Sequence, residues 1–274
     1  MKTPSFWYGA PGAVSALLAP AAGVYALARH LKNQFAHPYR AAVPVICVGN
    51  LVAGGTGKTP VVLALATLLK DRKAAFLTRG YGGSEAGPVQ VKAYRHRADE
   101  VGDEPLLLAR AATTWVARDR AAGARAAAAA GAELIIMDDG FQNLSLAKNF
   151  SLVVVDGVTG FGNGRLVPAG PLREPVGAGL ARADALVIVG DDKTGIAANM
   201  HPDFPVLAAH LEPTQDTGFV AGKRVVAFAG IGHPAKFFTT LEKMGCSIAA
   251  RHAFADHHSY KTDEIMKICV EATA

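Results

Sequence analysis

The stretch VPVICVGNLVAGGTGKTP, residues 43–60, constrains the fold of this chain more than any other. A run of apolar residues leads into a glycine-rich loop, and a helix-forming segment follows at once. Glycines let backbone N–H groups converge on phosphate oxygens, and the positive N-terminus of the next helix favours the same negative charge. Strand, glycine-rich loop and helix in this order are the context that a phosphate-binding loop requires. We therefore predict that this segment binds a nucleoside triphosphate.

This loop departs from the usual pattern at Val52, where a glycine is common. Lys58 is expected to reach the β- and γ-phosphates, and the Thr59 hydroxyl is expected to ligate Mg²⁺. Pro60 fits the first turn of a helix, where a missing N–H removes no intrahelical bond. A glycine-rich turn with an incidental lysine is the alternative. The predicted nucleotide-binding residues are Val52, Ala53, Gly54, Gly55, Thr56, Gly57, Lys58 and Thr59.

Two adjacent carboxylates, Asp138 and Asp139, follow the apolar run of ELIIMDDG. The carboxyl ends of strands are where α/β sheets bind ligands. We expect one carboxylate to meet Mg²⁺ directly or through water, and the other to face the phosphate acceptor or to order the following GFQN. A helix cap or a turn built from Asp-Gly is the alternative.

Short apolar segments alternate with helical segments after residue 40. Runs such as ELIIMD and SLVVVD are typical of strands that a parallel sheet buries on both faces. The predicted strands are residues 43–49, 74–78, 113–117, 133–138, 151–155, 185–189 and 224–229. The predicted helices include residues 58–70, 103–112 and 120–131. We predict an α/β fold with a mostly parallel P-loop sheet flanked by helices, a smaller second α/β domain and an N-terminal membrane-associating helix.

We predict three parts along the chain. They are an N-terminal membrane-associating helix at residues 1–35, a P-loop kinase domain at 36–204 and a smaller C-terminal α/β domain at 205–274. The last part contains KRVVAFAGIGHP, which restarts a strand, loop and helix. The glycine- and proline-rich segment 156–183 interrupts the alternation. Structureless stretches of that length are usually functional.

The N-terminal region is basic and apolar, since no Asp or Glu precedes Asp71. Its uncharged residues 3–28 could cross a bilayer, for which about 20 apolar residues suffice, but Pro20 is expected to interrupt them. We predict a helix lying on the cytosolic face of a membrane, with Arg29 and Lys32 against anionic lipid. The alternatives are a buried core helix and a cleaved signal peptide.

The composition narrows the class of protein further. Half of the residues are hydrophobic and 19% are charged, which fits a globular protein and excludes a disordered one. The three cysteines are scattered and form no CxxC pair, so a disulfide framework or zinc site is not expected and a reducing cytosol fits. We expect a monomer with no nucleic-acid partner.

Three classes of protein share such a loop: small-molecule kinases, GTPase switches and ATPases that move on membranes. The chain lacks the Asn-Lys-x-Asp run that reads guanine. Partition ATPases carry a second lysine where this chain has Ala53. These two observations favour a kinase whose acceptor lies near the membrane. A membrane-tethered regulatory NTPase is the alternative.

Several further motifs follow one another between about residues 40 and 260. They are VGNLVAGGTGKTP, TRGYGG, VGDEPLLLA, DDGFQN, GNGRLVPAGPLREP, LARADA and FADHHSY. Together they resemble the tetraacyldisaccharide 4′-kinase family of Gram-negative bacteria. The resemblance implies Mg²⁺-dependent transfer of the γ-phosphate of ATP to the 4′-hydroxyl of tetraacyldisaccharide 1-phosphate, giving lipid IVA. It also implies a peripheral or anchored place on the cytosolic face of the inner membrane.

The same resemblance implies a catalytic dyad, with Asp103 as the base and His257 tuning it. Alternatively, Asp103 caps a helix and His257 makes a surface contact. An acceptor with a phosphate group requires a basic cleft. The residues predicted to contact it are Arg79, Arg120, Gln142, Arg165, Arg173 and Glu174. For each arginine, a structural ion pair is the alternative.

Two features depart from the pattern of the family. Asn143 stands in DDGFQN where the resemblance leads us to expect histidine. The sequence also ends at SYKTDEIMKICVEATA, before an expected further strand and a Thr-Glu-Lys-Asp-like motif. We therefore expect a shortened second domain.

Overall fold

The structure is a computed structural model that describes residues 4–213, 217–232, 234–255 and 258–273. The chain divides into two compact units, of which the larger spans Ser5–His210 and the smaller groups the residues from Leu211 onward with Pro4. This division falls a few residues after the predicted boundary at 205. The N-terminal helix, which we predicted as a part of its own, belongs to the larger unit.

The larger unit opens with helix α1 (Ala13–Gln34), which continues through Pro20. Proline has no N–H to donate, so the carbonyl of Ala16 lacks its usual intrahelical donor at this turn. The helix nevertheless continues to Gln34, so the prediction that Pro20 interrupts the N-terminal segment is wrong. Among the described residues, α1 is long and apolar enough to cross a membrane.

The larger unit is built on an eight-stranded sheet within its described residues. Its strands are β1 (Val45–Gly49), β2 (Ala74–Thr78), β3 (Val89–Gln90), β4 (Thr113–Val116), β5 (Leu134–Asp138), β6 (Phe150–Asp156), β7 (Ala185–Val189) and β8 (Val206–Ala209). Their spatial order is β3-β4-β2-β5-β1-β6-β7-β8. Neighbouring strands pair in parallel except β3, which pairs antiparallel with β4. The predicted mostly parallel sheet is thus confirmed.

Helices cover both faces of this sheet. They are α2 (Lys58–Leu68), α3 (Ala98–Val101), α4 (Asp103–Leu108), α5 (Arg120–Ala129) and α6 (Val176–Leu180). Val62 of α2 packs in one apolar layer with Ile136 of β5. Ala124 of α5 packs in the opposite layer with Ile135 and Met137 of the same strand. Alternate residues of β5 are therefore buried on opposite faces, which explains why its sequence is apolar throughout.

The smaller unit contains the elements β9 (Arg224–Ala229), α7 (Pro234–Lys243), β10 (Ser247–Ala253) and α8 (Thr262–Thr273). Strands β9 and β10 pair in parallel, with an irregularity between Ile248 and Ala250. Phe238 of α7 and Ile268 of α8 are buried beside this two-stranded sheet. Strand β10 was not predicted because Ile248 is its single large aliphatic residue.

Sequence patterns located the interior strands better than the edge strands. The bounds of β2 and β7 match the predicted residues 74–78 and 185–189. The edge strands β3 and β8 were missed. They contain two and four residues, which is too short for a pattern to develop.

Candidate active site

The site lies where the parallel strands of the large sheet reach their carboxyl ends, because these ends all lie on the same side of the sheet. Strands β2, β5 and β1 are neighbours. The loops that follow them are 79–83, 139–143 and 50–57, and each carries residues singled out from the sequence. Tertiary structure therefore brings together three motifs that lie far apart along the chain.

The loop at residues 50–57, called here the phosphate loop, has the backbone that its glycines permit. Gly54 has φ 128° and Gly57, the N-cap of α2, has φ 85°. Both values lie where side chains are strained. Asn50, fully buried after β1, donates from Nδ2 to the Gly54 carbonyl (3.3 Å) and to Thr56 Oγ1 (3.2 Å). We did not predict this role of Asn50, although a polar residue directly after a buried strand was a visible signal.

The glycine- and proline-rich segment supports the phosphate loop from outside. The Ala53 N–H donates to the Pro171 carbonyl, and the Arg173 N–H donates to the Leu51 carbonyl, each at 2.7 Å. Between these bonds Val52 lies opposite Leu172 in an antiparallel bridge. Val52 is 5% exposed. The residue that replaces the usual glycine therefore fills an apolar contact between the two segments.

Asp139, the residue directly after β5, forms ion pairs with two cationic side chains. It adopts a left-handed conformation, with φ 47°, which aspartate tolerates better than most residues. Its carboxylate lies 3.7 Å from Lys58 Nζ and 3.0 Å from Arg173 Nη1. Burial acts to raise the pKa of Asp139, but the charges of Lys58 and Arg173 outweigh burial and lower it below the usual value. Asp139 is therefore an ionised partner of the phosphate-loop lysine.

Asp138 has a different environment from its neighbour. It is 1% exposed, and burial, followed by the charge of Glu104, raises its pKa to about 7. Within the residues that the structure describes, Asp138 Oδ1 is buried without a hydrogen-bond partner. A cation would satisfy such an oxygen. Together with the Thr59 hydroxyl in the first turn of α2, Asp138 fits Mg²⁺, which usually binds one or two carboxylates together with substrate phosphates.

Two predicted acceptor contacts, Gln142 and Glu174, bond to one another in this structure. Gln142 Nε2 donates to the Asn50 carbonyl (2.7 Å) and to Glu174 Oε1 (3.1 Å). Glu174 is 3% exposed and forms ion pairs with Arg29 (3.1 Å) and Arg182. The prediction that Arg29 faces lipid is therefore wrong, because its guanidinium turns inward to a buried carboxylate.

The four predicted arginines have unequal access to solvent. Arg79 and Arg165 are exposed, whereas Arg173 is held by Asp139. Arg120 is 3% exposed and donates from Nη1 to the Ala117 carbonyl at 2.7 Å. Burial lowers the pKa of Arg120 to about 10, and the charge of Asp139 acts in the opposite direction. The contact of each arginine with an acceptor stays a prediction.

Asp103 is exposed at the first position of α4. The N-cap of this helix is Gly102, so the alternative in which Asp103 is the cap is wrong. Gly102 has φ 91°, and a Cβ there would lie 2.5 Å from the Tyr81 carbonyl oxygen. This close backbone approach sets Asp103 beside the loop that carries Arg79. His257 lies outside the described residues, so the dyad stays a prediction.

The parallel sheet, the phosphate loop with Lys58 and the two carboxylates at the carboxyl end of β5 define a P-loop nucleotide enzyme of the kinase type. A family model described as tetraacyldisaccharide-1-P 4′-kinase matches residues 14–274. The chain belongs to this family. The resemblance predicted from the motifs is thereby confirmed, and the alternative of a regulatory NTPase is not favoured.

Individual relatives agree with the family match. A Rhodospirillum centenum protein named tetraacyldisaccharide 4′-kinase is 53% identical over 281 residues, which cover 100% of this chain and 83% of that protein. A Paramagnetospirillum magneticum protein of the same name is 54% identical over 278 residues, covering 100% and 85%. The crystal structure of LpxK from Aquifex aeolicus in complex with ATP has a TM-score of 0.74 and 29% identity. The match covers 91% of this chain and 84% of the Aquifex aeolicus chain.

The environment of Asp138 predicts a pH-dependent effect of Asp138→Asn on the metal-free protein. The pKa of Asp138 is raised from 3.8 to about 7, so folding retains a proton that the unfolded chain loses. The stability this gives is complete below pH 4 and is lost as pH rises to 7. The Asp138→Asn variant has no titrating group at this position. Its free energy of unfolding should therefore rise relative to that of wild type between pH 4 and 8, by at most about 4 kcal/mol.

Urea unfolding with EDTA at several pH values would measure this difference. Asp71→Asn, at an exposed site after α2, is the matched control. A difference between Asp138→Asn and wild type that stayed constant over this pH range would contradict the interpretation.

Proposed function

We propose that this chain transfers the γ-phosphate of ATP to the 4′-hydroxyl of tetraacyldisaccharide 1-phosphate, which forms lipid IVA in lipid A biosynthesis. The observation that carries the proposal is the phosphate loop, which sets Lys58 3.7 Å from Asp139 at the carboxyl edge of the sheet. Family membership supplies the acceptor, because the phosphate loop by itself does not select one.

The triphosphate is held by backbone and side chain together. The N–H groups of the phosphate loop and the N-terminus of α2 receive phosphate oxygens, and Lys58 adds a positive charge. Asp138 and Thr59 would hold Mg²⁺, which would supply positive charge to neutralise the phosphates of the nucleotide. Asp139 keeps Lys58 and Arg173 at the mouth of the loop.

The transfer itself is an in-line displacement. The oxygen of the 4′-hydroxyl forms a bond to the γ-phosphorus, the bond from that phosphorus to the β–γ bridging oxygen breaks, and ADP leaves. The proton of the hydroxyl passes to the carboxylate of Asp103, which is exposed beside the loop that carries Arg79. His257 assists Asp103 as the second member of the dyad. Arg79 and Arg165 contact the 1-phosphate of the acceptor, as exposed arginines at this edge can.

The two faces of α1 support a membrane-bound location. Ser15, Ala22 and Arg29 recur every seven residues, or about two turns, and face the protein. Leu17 and Val24 are 80% and 70% exposed, although a helix on a soluble protein turns its polar side outward. An outward apolar face suits the lipid surface where an acylated acceptor is found.

The inward contacts of α1 favour a helix that lies on the membrane over one that crosses it. Ser15 Oγ donates to the Ala169 carbonyl (2.7 Å), and the Tyr25 hydroxyl donates to the Arg173 carbonyl (3.0 Å). These bonds hold both halves of α1 against the kinase unit. We therefore infer a peripheral location on the cytosolic face, where ATP is available; the monomeric state stays a prediction.

Lys58→Ala should reduce transfer by on the order of 10²–10³-fold, because the variant lacks a charge that stabilises the transferring group. The assay uses [γ-³²P]ATP, Mg²⁺ and tetraacyldisaccharide 1-phosphate in detergent, with labelled lipid separated by thin-layer chromatography. Lys70→Ala, at an exposed site just after α2, is the matched control. The proposed function fails if wild-type protein produces no labelled lipid.

Asp103→Ala should lower kcat by roughly 10²–10⁴-fold, as expected for loss of a general base, and should change the Kd for ATP much less. Steady-state kinetics and fluorescent-nucleotide titration measure the two quantities separately. Asp99→Ala, at an exposed position of α3, controls for the loss of a nearby carboxylate. Equal losses of turnover and ATP affinity would argue against the base role.

Replacing Leu17, Val24 and Leu31 together by Gln should weaken binding to phosphatidylglycerol-containing vesicles roughly tenfold or more, because exposed apolar area drives interfacial binding. Co-sedimentation with vesicles measures the bound fraction. The control replaces Leu68, Leu211 and Val270, which are also exposed. Equal binding by the two triple variants would show that α1 does not form the membrane-binding face.

A further inference from the structure

Residue Glu174 is a buried carboxylate contacted from three parts of the chain. Its oxygens lie 3.1 Å from Arg29 Nη2 of α1 and 3.1 Å from Gln142 Nε2 in the loop after β5. Arg182, which follows α6, forms a further ion pair with it. A charge at 3% exposure is tolerated only when it is paired and hydrogen-bonded. Arg29 Nη2 contributes a charge at this distance without hydrogen-bond geometry, so a residue of the N-terminal helix helps to compensate the charge of Glu174.

The preceding residue, Arg173, makes a parallel set of contacts. Its carbonyl accepts from the Tyr25 hydroxyl of α1 at 3.0 Å, and its N–H donates to Leu51 at 2.7 Å. Its guanidinium lies 3.0 Å from Asp139, which in turn faces Lys58 at 3.7 Å. One residue thus contacts α1, the start of the phosphate loop and the carboxylate beside the phosphate-loop lysine.

We propose that Tyr25 and Arg29 of α1 are positioning residues for phosphoryl transfer, acting through Arg173 and Glu174 on Asp139 and the phosphate loop. This inference rests on the proposed kinase activity. It gives α1 a second role, because the face opposite to its outward apolar residues forms part of the support of the active site.

The chemistry of these contacts distinguishes positioning from simple attachment. Without Arg29, the amide of Gln142 is the one remaining partner of Glu174 Oε1 among the residues that the structure describes, and a buried carboxylate draws that amide more strongly. The same amide donates to the Asn50 carbonyl at 2.7 Å, and Asn50 holds Gly54 and Thr56. A shift of Gln142 is therefore transmitted to the phosphate loop. A helix that only attached the protein to lipid would not have this effect on turnover.

The test compares Arg29→Met, Arg29→Lys and Tyr25→Phe in the full chain, assayed in detergent. Arg29→Met should lower kcat roughly 5- to 50-fold with a smaller change in the KM for the lipid acceptor. Arg29→Lys, which restores the charge, should recover much of this loss. Tyr25→Phe, which removes one oxygen atom, should lower kcat roughly two- to fivefold. Arg72→Met, at an exposed site after α2, should have wild-type kcat.

A double-variant cycle shows whether Arg29 acts through Glu174. In a Glu174→Gln background, Arg29→Met should cause much less further loss of kcat than in wild type, because the two residues share one interaction. Independent roles would give losses that multiply, which would overturn the proposal. Circular-dichroism melting identifies variants that fail to fold. If Arg29→Met fails to fold, the kcat of Tyr25→Phe decides whether α1 has a positioning role.

The outcomes separate this inference from the proposed function. Labelled lipid from wild type, with unchanged kcat in Arg29→Met and Tyr25→Phe, would refute the positioning role and leave the kinase activity standing. Absence of labelled lipid from wild type would refute the kinase activity itself. Equal fractional losses of kcat in Arg29→Met and Arg29→Lys would also contradict a role for the ion pair.

Discussion

The parallel pairing of β1 between β5 and β6 is the constraint on which the site depends. It places the start of the phosphate loop beside Asp138, which ends β5, although the two are separated by more than eighty residues of sequence. The pairing in turn requires both faces of these strands to be buried, by α2 on one side and α5 on the other. Catalytic geometry and core packing are therefore consequences of the same arrangement.

Two adjacent carboxylates take different roles because the backbone turns between them. Asp138 points into the core, where burial keeps its proton up to about neutral pH. Asp139, at φ 47°, points towards Lys58 and Arg173 and stays ionised. This division leaves Asp139 with the cations Lys58 and Arg173 and agrees with the proposal that Asp138 holds the metal ion.

The glycine- and proline-rich segment connects α1 to the phosphate loop. Its residues accept hydrogen bonds from α1 on one side, at Ala169 and Arg173. On the other side they pair with Leu51 and Ala53 of the phosphate loop. A kinase with an acylated acceptor must work at a lipid surface, and here the helix proposed to meet that surface is linked through this segment to the loop proposed to hold ATP.

The sequence by itself determined the class of fold, the phosphate loop and the family, because apolar runs, glycine spacing and motif order are local properties. It located β2 and β7 to the residue. It could not show that Arg29 turns inward, that Glu174 is buried, or that Asn50 holds the phosphate loop. Those facts depend on which distant segments meet, and only tertiary packing decides whether a charged side chain faces lipid, solvent or a buried partner.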